Sequence, residues 1–231
     1  MIQQQVNFKE NTLQKISSTA FIIGAVLLIV FNVLAPRPDD PANMESVMTT
    51  MSNQAVFTHL SQLLLTFGIW LVMIGSAGVY RSITASGAAW ARLGFYGIIV
   101  GAVLWSVTFG LGSATVSTAA EWVTASTTDK AAAFNVAAAV STASSAIETM
   151  SIIMLWSALI FLGVGMASSS VYPGWLGWVG IFLGVAMVAV VGIPKFFLGN
   201  TSILLLLFGG LALLTTVWLL LTGIWVARKA W

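Results

Sequence analysis

Four stretches of this chain, residues 60–80, 93–120, 149–171 and 201–227, carry no charged side chain, and 16–36 and 172–194 are nearly as apolar. Each is long enough, or almost so, to cross a hydrocarbon core about 30 Å thick, which takes roughly 20 helical residues. In lipid every backbone polar group must be satisfied within the protein, so a spanning chain forms helices or a closed barrel. Barrel strands alternate in polarity, whereas 203–208 and 217–221 are apolar at every position. The expected fold is all-α: a polytopic membrane bundle of six transmembrane helices.

Composition narrows the function classes. Only 7% of residues are charged, against about 25% in a soluble domain, so a soluble core is excluded. The chain has no cysteine, which excludes disulfides, thiolate metal sites and cysteine nucleophiles. Its single histidine rules out haem ligated by two histidines of one chain, and no metal is expected. Nine basic and seven acidic residues are too few and too scattered for nucleic-acid binding.

The charges orient the bundle. With both termini in the cytoplasm, Lys9, Lys15, Arg81, Arg92, Arg228 and Lys229 lie inside, and Arg37, Lys130 and Lys195 outside. That excess is what the positive-inside rule predicts for a multi-pass protein of the cell membrane. The spans fall at about 16–36, 58–80, 92–115, 147–167, 174–194 and 202–227, in one domain after a cytoplasmic segment 1–15 that is interfacial or loose. Val33, Leu34 and Ala35 resemble a signal-cleavage site, but Pro36 directly after them hinders cutting, so span one is expected to stay as an anchor.

Two outer segments read as helical extensions, 42–57 and 129–146. Asp39 and Asp40 before Pro41 predict a capped helix running from Ala42 into span two, with Met44, Val47, Met48 and Met51 on one face. Helix four is expected to begin near Thr128 and Asp129. Pro194 is expected to end span five. Leu93, Gly94, Gly97, Ile98 and Gly101 recur as Leu176, Gly177, Gly180, Ile181 and Gly184. This reads as three helical hairpins in one orientation, or as convergence of apolar helices on similar composition.

Few residues can carry chemistry. Gly97 with Gly101, and Gly180 with Gly184, let helix backbones approach closely, either inside the bundle or at a seam between copies. Glu148 is the only acid within a mostly apolar span, and an intramembrane ionisable group is a candidate for function. Its depth is the outer boundary, where a wet interfacial carboxylate explains it equally well. His59 sits at similar depth, and Glu121 near the same surface. A His59–Glu148 pair would suit a metal, a proton or a polar ligand. Asn32, Gln62, Asn135 and Asn200 read as hydrogen-bonding glue between helices. Lys195 reads as snorkelling to the interface. Most tryptophans lie near span ends, as interfacial belts do, but Trp70, Trp105, Trp156 and Trp218 lie deeper, as packing residues or the walls of an apolar pocket. No phosphate loop, nucleophile elbow or dinucleotide fingerprint occurs, and no catalytic residue is assigned.

Tyr80 and Arg81 closing span two, the run from Tyr172 through Pro173, Trp175 and Trp178 to Gly180, and the closing 218–228 stretch resemble a widespread bacterial family of six-span membrane proteins of unknown function. The resemblance covers nearly the whole chain. It implies a six-helix bundle and supplies no activity, cofactor or catalytic residue.

The expected function is an accessory or scaffold subunit of a membrane complex. Its partners would be the bilayer and other membrane subunits or further copies of itself. The rival is a small transporter or ligand-binding sensor with an outer-side pocket near His59 and Glu148. An enzyme acting on a lipid-like substrate ranks last, and the cofactor is unknown.

Overall fold

A computed structural model describes the backbone of residues 2–36, 38, 40 and 43–230, and the side chains of 12–36, 38, 40 and 43–229. Among the described residues there are eight α-helices and no strand. They are α1 (Ile2–Leu34), α2 (Met44–Asn53), α3 (Ala55–Ser82), α4 (Ala88–Thr124), α5 (Lys130–Ala167), α6 (Gly174–Ala186), α7 (Ile193–Leu198) and α8 (Ser202–Ala230). Six of the resulting rods, with α6 and α7 forming one, are long and apolar enough to cross a membrane. The protein is an all-α, multi-pass membrane bundle, and an even number of crossings puts both termini on one side.

The rods form a ring. α1 packs on α3, α3 on α4, α4 on α5, α5 on α6, α6 on α8, and α8 returns to α1. Each rod thus lies against its neighbours in sequence, as short turns dictate. Small residues set the closeness of the contacts. A Cβ on Gly94 of α4 would stand 2.6 Å from the backbone nitrogen of Leu162 in α5. Gly163 of α5 meets the carbonyl oxygen of Gly177 in α6 in the same manner, at 2.8 Å. Water drives no association inside lipid, so such close packing is what holds the rods together.

The two turns at the termini side are tied to each other. Ser82 hydrogen-bonds the hydroxyl of Tyr172 at 2.7 Å, and the Ser86 hydroxyl donates to the Ser168 carbonyl at 3.1 Å. Burial pushes the Tyr172 hydroxyl up to about 12, against the opposing effect of its Ser82 hydrogen bond.

At the opposite end α4 and α5 outgrow the bilayer. At about 1.5 Å per residue both exceed 50 Å, well beyond the about 30 Å core. α4 therefore runs to Thr124, past the expected boundary at 115. Its hydroxyl-rich last turns stay helical, with the Thr115, Thr118 and Thr124 hydroxyls satisfied by carbonyls four residues back. α2 lies against this hairpin, with Met48 fully buried on Ala119 and Ala137.

Two expectations need correction here. No single helix runs from Ala42 into span two, because the chain breaks at Gln54, between α2 and α3. The break lets α2 turn its methionine face onto α4. The helix cap is Asn43, whose side chain accepts from the backbone of Glu45 and Ser46. Asp39 and Pro41 of the expected cap lie outside the described residues, as do Arg37 and the side chains of Lys9 and Glu10. The N-terminal segment is helical from Ile2 and continuous with span one.

Glycine packing is open to direct test. Gly94→Ala forces a methyl into the backbone of α5 and should destabilise the bundle by about 2 kcal/mol. Gly110 has nothing within 4 Å of its added methyl. Gly110→Ala should therefore leave stability unchanged within about 1 kcal/mol. Unfolding of both variants in one detergent decides; equal effects would mean that the α4–α5 contact is looser than described.

Candidate ligand-binding site

The site begins with a proline. Pro194 has no N–H, so the carbonyl four residues back loses its helical partner. The chain answers with a wide π-helical turn over Met187–Gly192, where the Ile193 N–H reaches back to the Val188 carbonyl. A turn of that kind takes in an extra residue and shifts the face that everything beyond it presents. The helix then continues as α7 to Leu198, so Pro194 does not end it. It stops at Gly199, whose φ of 70° suits a residue without a side chain.

This geometry turns Lys195 inward. Its side chain is 4% exposed and forms an ion pair with Glu148 of α5, which is 23% exposed. Lys195 therefore does not snorkel, because burial in the bundle leaves its ammonium no route to water except through Glu148. Asn200, in the α7–α8 turn, donates to the Ser145 hydroxyl at 3.0 Å and adds a second tie to α5.

Glu148 also lines a cavity of about 150 Å³ inside the ring. α1, α3, α4, α5 and α8 all contribute to its wall, half of which is aliphatic. Trp105, Phe109, Trp156 and Phe208 form its aromatic part, and Asn32, Thr215 and Thr216 are its other polar members. Trp105 stacks on Phe208 with centroids 6.2 Å apart, and Trp156 meets both rings edge-on. At about 1.5 Å rise per residue, Trp156 lies about 16 Å and Glu148 about 28 Å from the end of α5 at Ala167. The cavity thus occupies the half of the membrane away from the termini, with the ion pair at its far end.

Its polar groups are almost all engaged. The Asn32 amide donates to the Leu28 carbonyl at 2.8 Å. Thr215 accepts from the Trp156 indole at 3.1 Å and donates to the Leu211 carbonyl. Trp70 donates to Ser106 at 2.8 Å, and Trp218 to the Leu176 carbonyl at 2.8 Å. Trp105 differs from the other three deep tryptophans: its indole nitrogen is buried without a partner.

The candidates from sequence are distributed differently. His59 Nδ1 lies 2.6 Å from the Ser113 hydroxyl of α4, on the α3–α4 seam. α4 stands between α3 and α5 in the ring, so His59 and Glu148 do not form a pair. Glu121 is exposed in the last turns of α4, at the end away from the termini. Gln62 packs against Gly112, and its carbonyl oxygen is buried without a partner. Gly97 meets Ala158 and Gly101 meets Leu155, both on α5. Gly180 meets Trp218 of α8, and Gly184 meets the Trp156 carbonyl and Ile160. All four thus pack inside this chain. Among the described residues no three of His, Cys, Asp and Glu gather as a metal would require.

No protein-family model matches the chain, and no curated protein or solved structure is significantly similar to it.

The ion pair makes a double-mutant cycle informative. Removing one member of a buried pair strands the other charge, at about 3–5 kcal/mol. Lys195→Met and Glu148→Leu should each destabilise by about 3 kcal/mol, with Glu148→Leu the worse because it strands the more buried ammonium. The Lys195→Met/Glu148→Leu double variant should return to within about 1 kcal/mol of the parent. Strictly additive losses in an unfolding series would refute the pairing.

Proposed function

We propose that the protein binds a small, largely apolar molecule inside the membrane, as a sensor or small transporter. The observation that carries this reading is the cavity, which is lined by five helices, walled by four aromatic rings and has one ion pair at its end. Ligand sites are concave and mostly apolar, with a few placed polar groups. A cavity of this volume has room for a benzene-sized guest. A single π-helical turn inside an α-helix frequently lies at a functional site, and one precedes Pro194 here. This reading moves the pocket from His59 and Glu148 to Glu148 and Lys195.

The accessory-subunit reading stands second. It is favoured by the start of α8, where Ile203 and Leu206 are 66% and 75% exposed and Gly209 and Gly210 face open space. Lipid covers such a face as well as a partner helix does. The resemblance to six-span proteins of unknown function adds no activity to either reading.

Photolabelling with a benzene-sized aryl diazirine tests the binding reading. Label at Thr215 and Thr216 should be saturable, falling about tenfold under excess ethylbenzene. Label on the lipid-facing Leu206 and Phe182, both exposed, should not saturate. Ala212 lines the cavity, and Ala212→Phe, or Ala212→Leu as the milder filler, should abolish the saturable part. Non-saturable label at every position would overturn the reading and leave the accessory role ahead.

A further inference from the structure

The lipid-facing surface carries a feature independent of the central cavity. Toward the termini, a groove of about 380 Å³ runs between α1 and α3. Ile16, Thr19, Ala20 and Ile23 of α1 and Leu71 of α3 line it, with Lys15 at its termini-side end. Ile16 and Ile23 are 55% and 47% exposed, so the groove opens outward to the bilayer. At about 1.5 Å per residue, Lys15 lies about 28 Å along α1 from Leu34. That is one core thickness, which puts its ammonium at headgroup depth. Ile23 lies about 12 Å deeper, among acyl chains.

The charge around the groove has one sign. Leu71, Gly75 and Gly78 of α3 meet Gly24, Phe21 and Ser17 of α1 in turn. This antiparallel register brings Arg81, exposed at the end of α3, level with Lys15. A Cβ on Gly24 would stand 2.8 Å from the Gly68 carbonyl oxygen, and helices packed so closely have axes about 8 Å apart. The two cations therefore stand about one headgroup apart. The acids whose side chains are described, Asp40, Glu45, Glu121, Asp129 and Glu148, all lie toward the far end of the bundle.

We propose that the groove holds one anionic phospholipid of the termini-side leaflet. Its phosphate sits at Lys15 and Arg81, and one acyl chain lies along Ile16, Thr19 and Ile23 against Leu71. Basic pockets between transmembrane helices bind acidic headgroups at this depth, and each cation near the surface favours an anionic lipid about fivefold. A soluble phosphate would leave the apolar groove unused. A zwitterionic lipid would bring its own cation toward Lys15 and Arg81. Bound in this way, the lipid bridges α1 and α3 beside their glycine contacts.

The test titrates the full-length protein in micelles with phosphatidylglycerol or phosphatidylcholine of the same acyl chains and counts bound lipids by native mass spectrometry. The first phosphatidylglycerol should bind about tenfold more tightly than the first phosphatidylcholine. Lys15→Gln should cut that preference about fivefold. Arg228→Gln removes an exposed cation from α8, on the other flank of α1, and should leave the preference within about twofold. Equal losses from both variants would mean a diffuse surface field and would overturn the site, as would a parent with no preference. If Lys15→Gln fails to fold, a phosphatidylglycerol with a diazirine in its upper acyl chain gives a second readout on the parent. Label on Ile16, Ile23 or Leu71 should fall under excess unlabelled phosphatidylglycerol and persist under phosphatidylcholine. Label that both lipids displace alike, or that neither displaces, would overturn the proposal as well.

Discussion

An ammonium ion held out of water costs several kcal/mol unless a counter-charge stands beside it. Lys195 meets that demand with Glu148, and this requirement ties the last third of the bundle to the rest. The pair fastens α7 to α5 at the far end, beside the close approach of Gly192 to Ile153 and the Asn200–Ser145 hydrogen bond. It also accounts for the helix continuing beyond Pro194. Had the chain left the membrane there, the lysine would have faced water and Glu148 would have had no partner. The wide turn over Met187–Gly192 absorbs the proline, and its shift in register fits the inward position of Lys195.

The same helices explain why a cavity exists at all. Close contacts run around the ring wherever a glycine admits a neighbouring backbone, as at Gly94 on Leu162 and Gly163 on Gly177. Those contacts draw the rods together along the perimeter. In the centre, large rings face one another instead, and Trp105, Trp156 and Phe208 touch edge to face or offset without filling the space. Flat rings leave gaps that branched aliphatic side chains would close. The indole of Trp156 bridges to Thr215 and keeps α5 and α8 apart by the width of a ring. An interior of this kind is mostly apolar and neutral overall, and it leaves the buried Trp105 indole nitrogen without a partner.

The fold was largely legible in the sequence because long charge-free runs have one stable solution in lipid. The six rods and the α5 extension followed from that alone. The break at Gln54 was not legible, since the residues on both sides are acceptable in a helix and only the packing of Met48 on Ala119 and Ala137 decides it. The site was legible by height and not by direction. Charge-free spans show how deep Glu148, His59 and Lys195 lie, but a helix face is set by its neighbours. α4 therefore separates His59 from Glu148, and the turn before Pro194 accompanies the inward course of Lys195. A signal was present: Glu148 and Lys195 are opposite charges at one depth in otherwise uncharged stretches. Snorkelling was the simpler account of a lysine at a span end, and it holds only where the side chain can reach water. The idle indole of Trp105 carries no trace in sequence, because three similar tryptophans are satisfied.

The burial of Lys195 can be measured directly. Reductive methylation of the native protein in micelles, read peptide by peptide with mass spectrometry, reports which ammonium groups meet solvent. Lys130 and Lys229 are exposed and serve as internal standards. Lys195 should stay unmodified while both standards react to completion, and should become reactive once the protein is unfolded. Methylation of Lys195 in the native state at the rate of Lys130 would contradict the ion pair, and with it the description of the cavity's end as neutral.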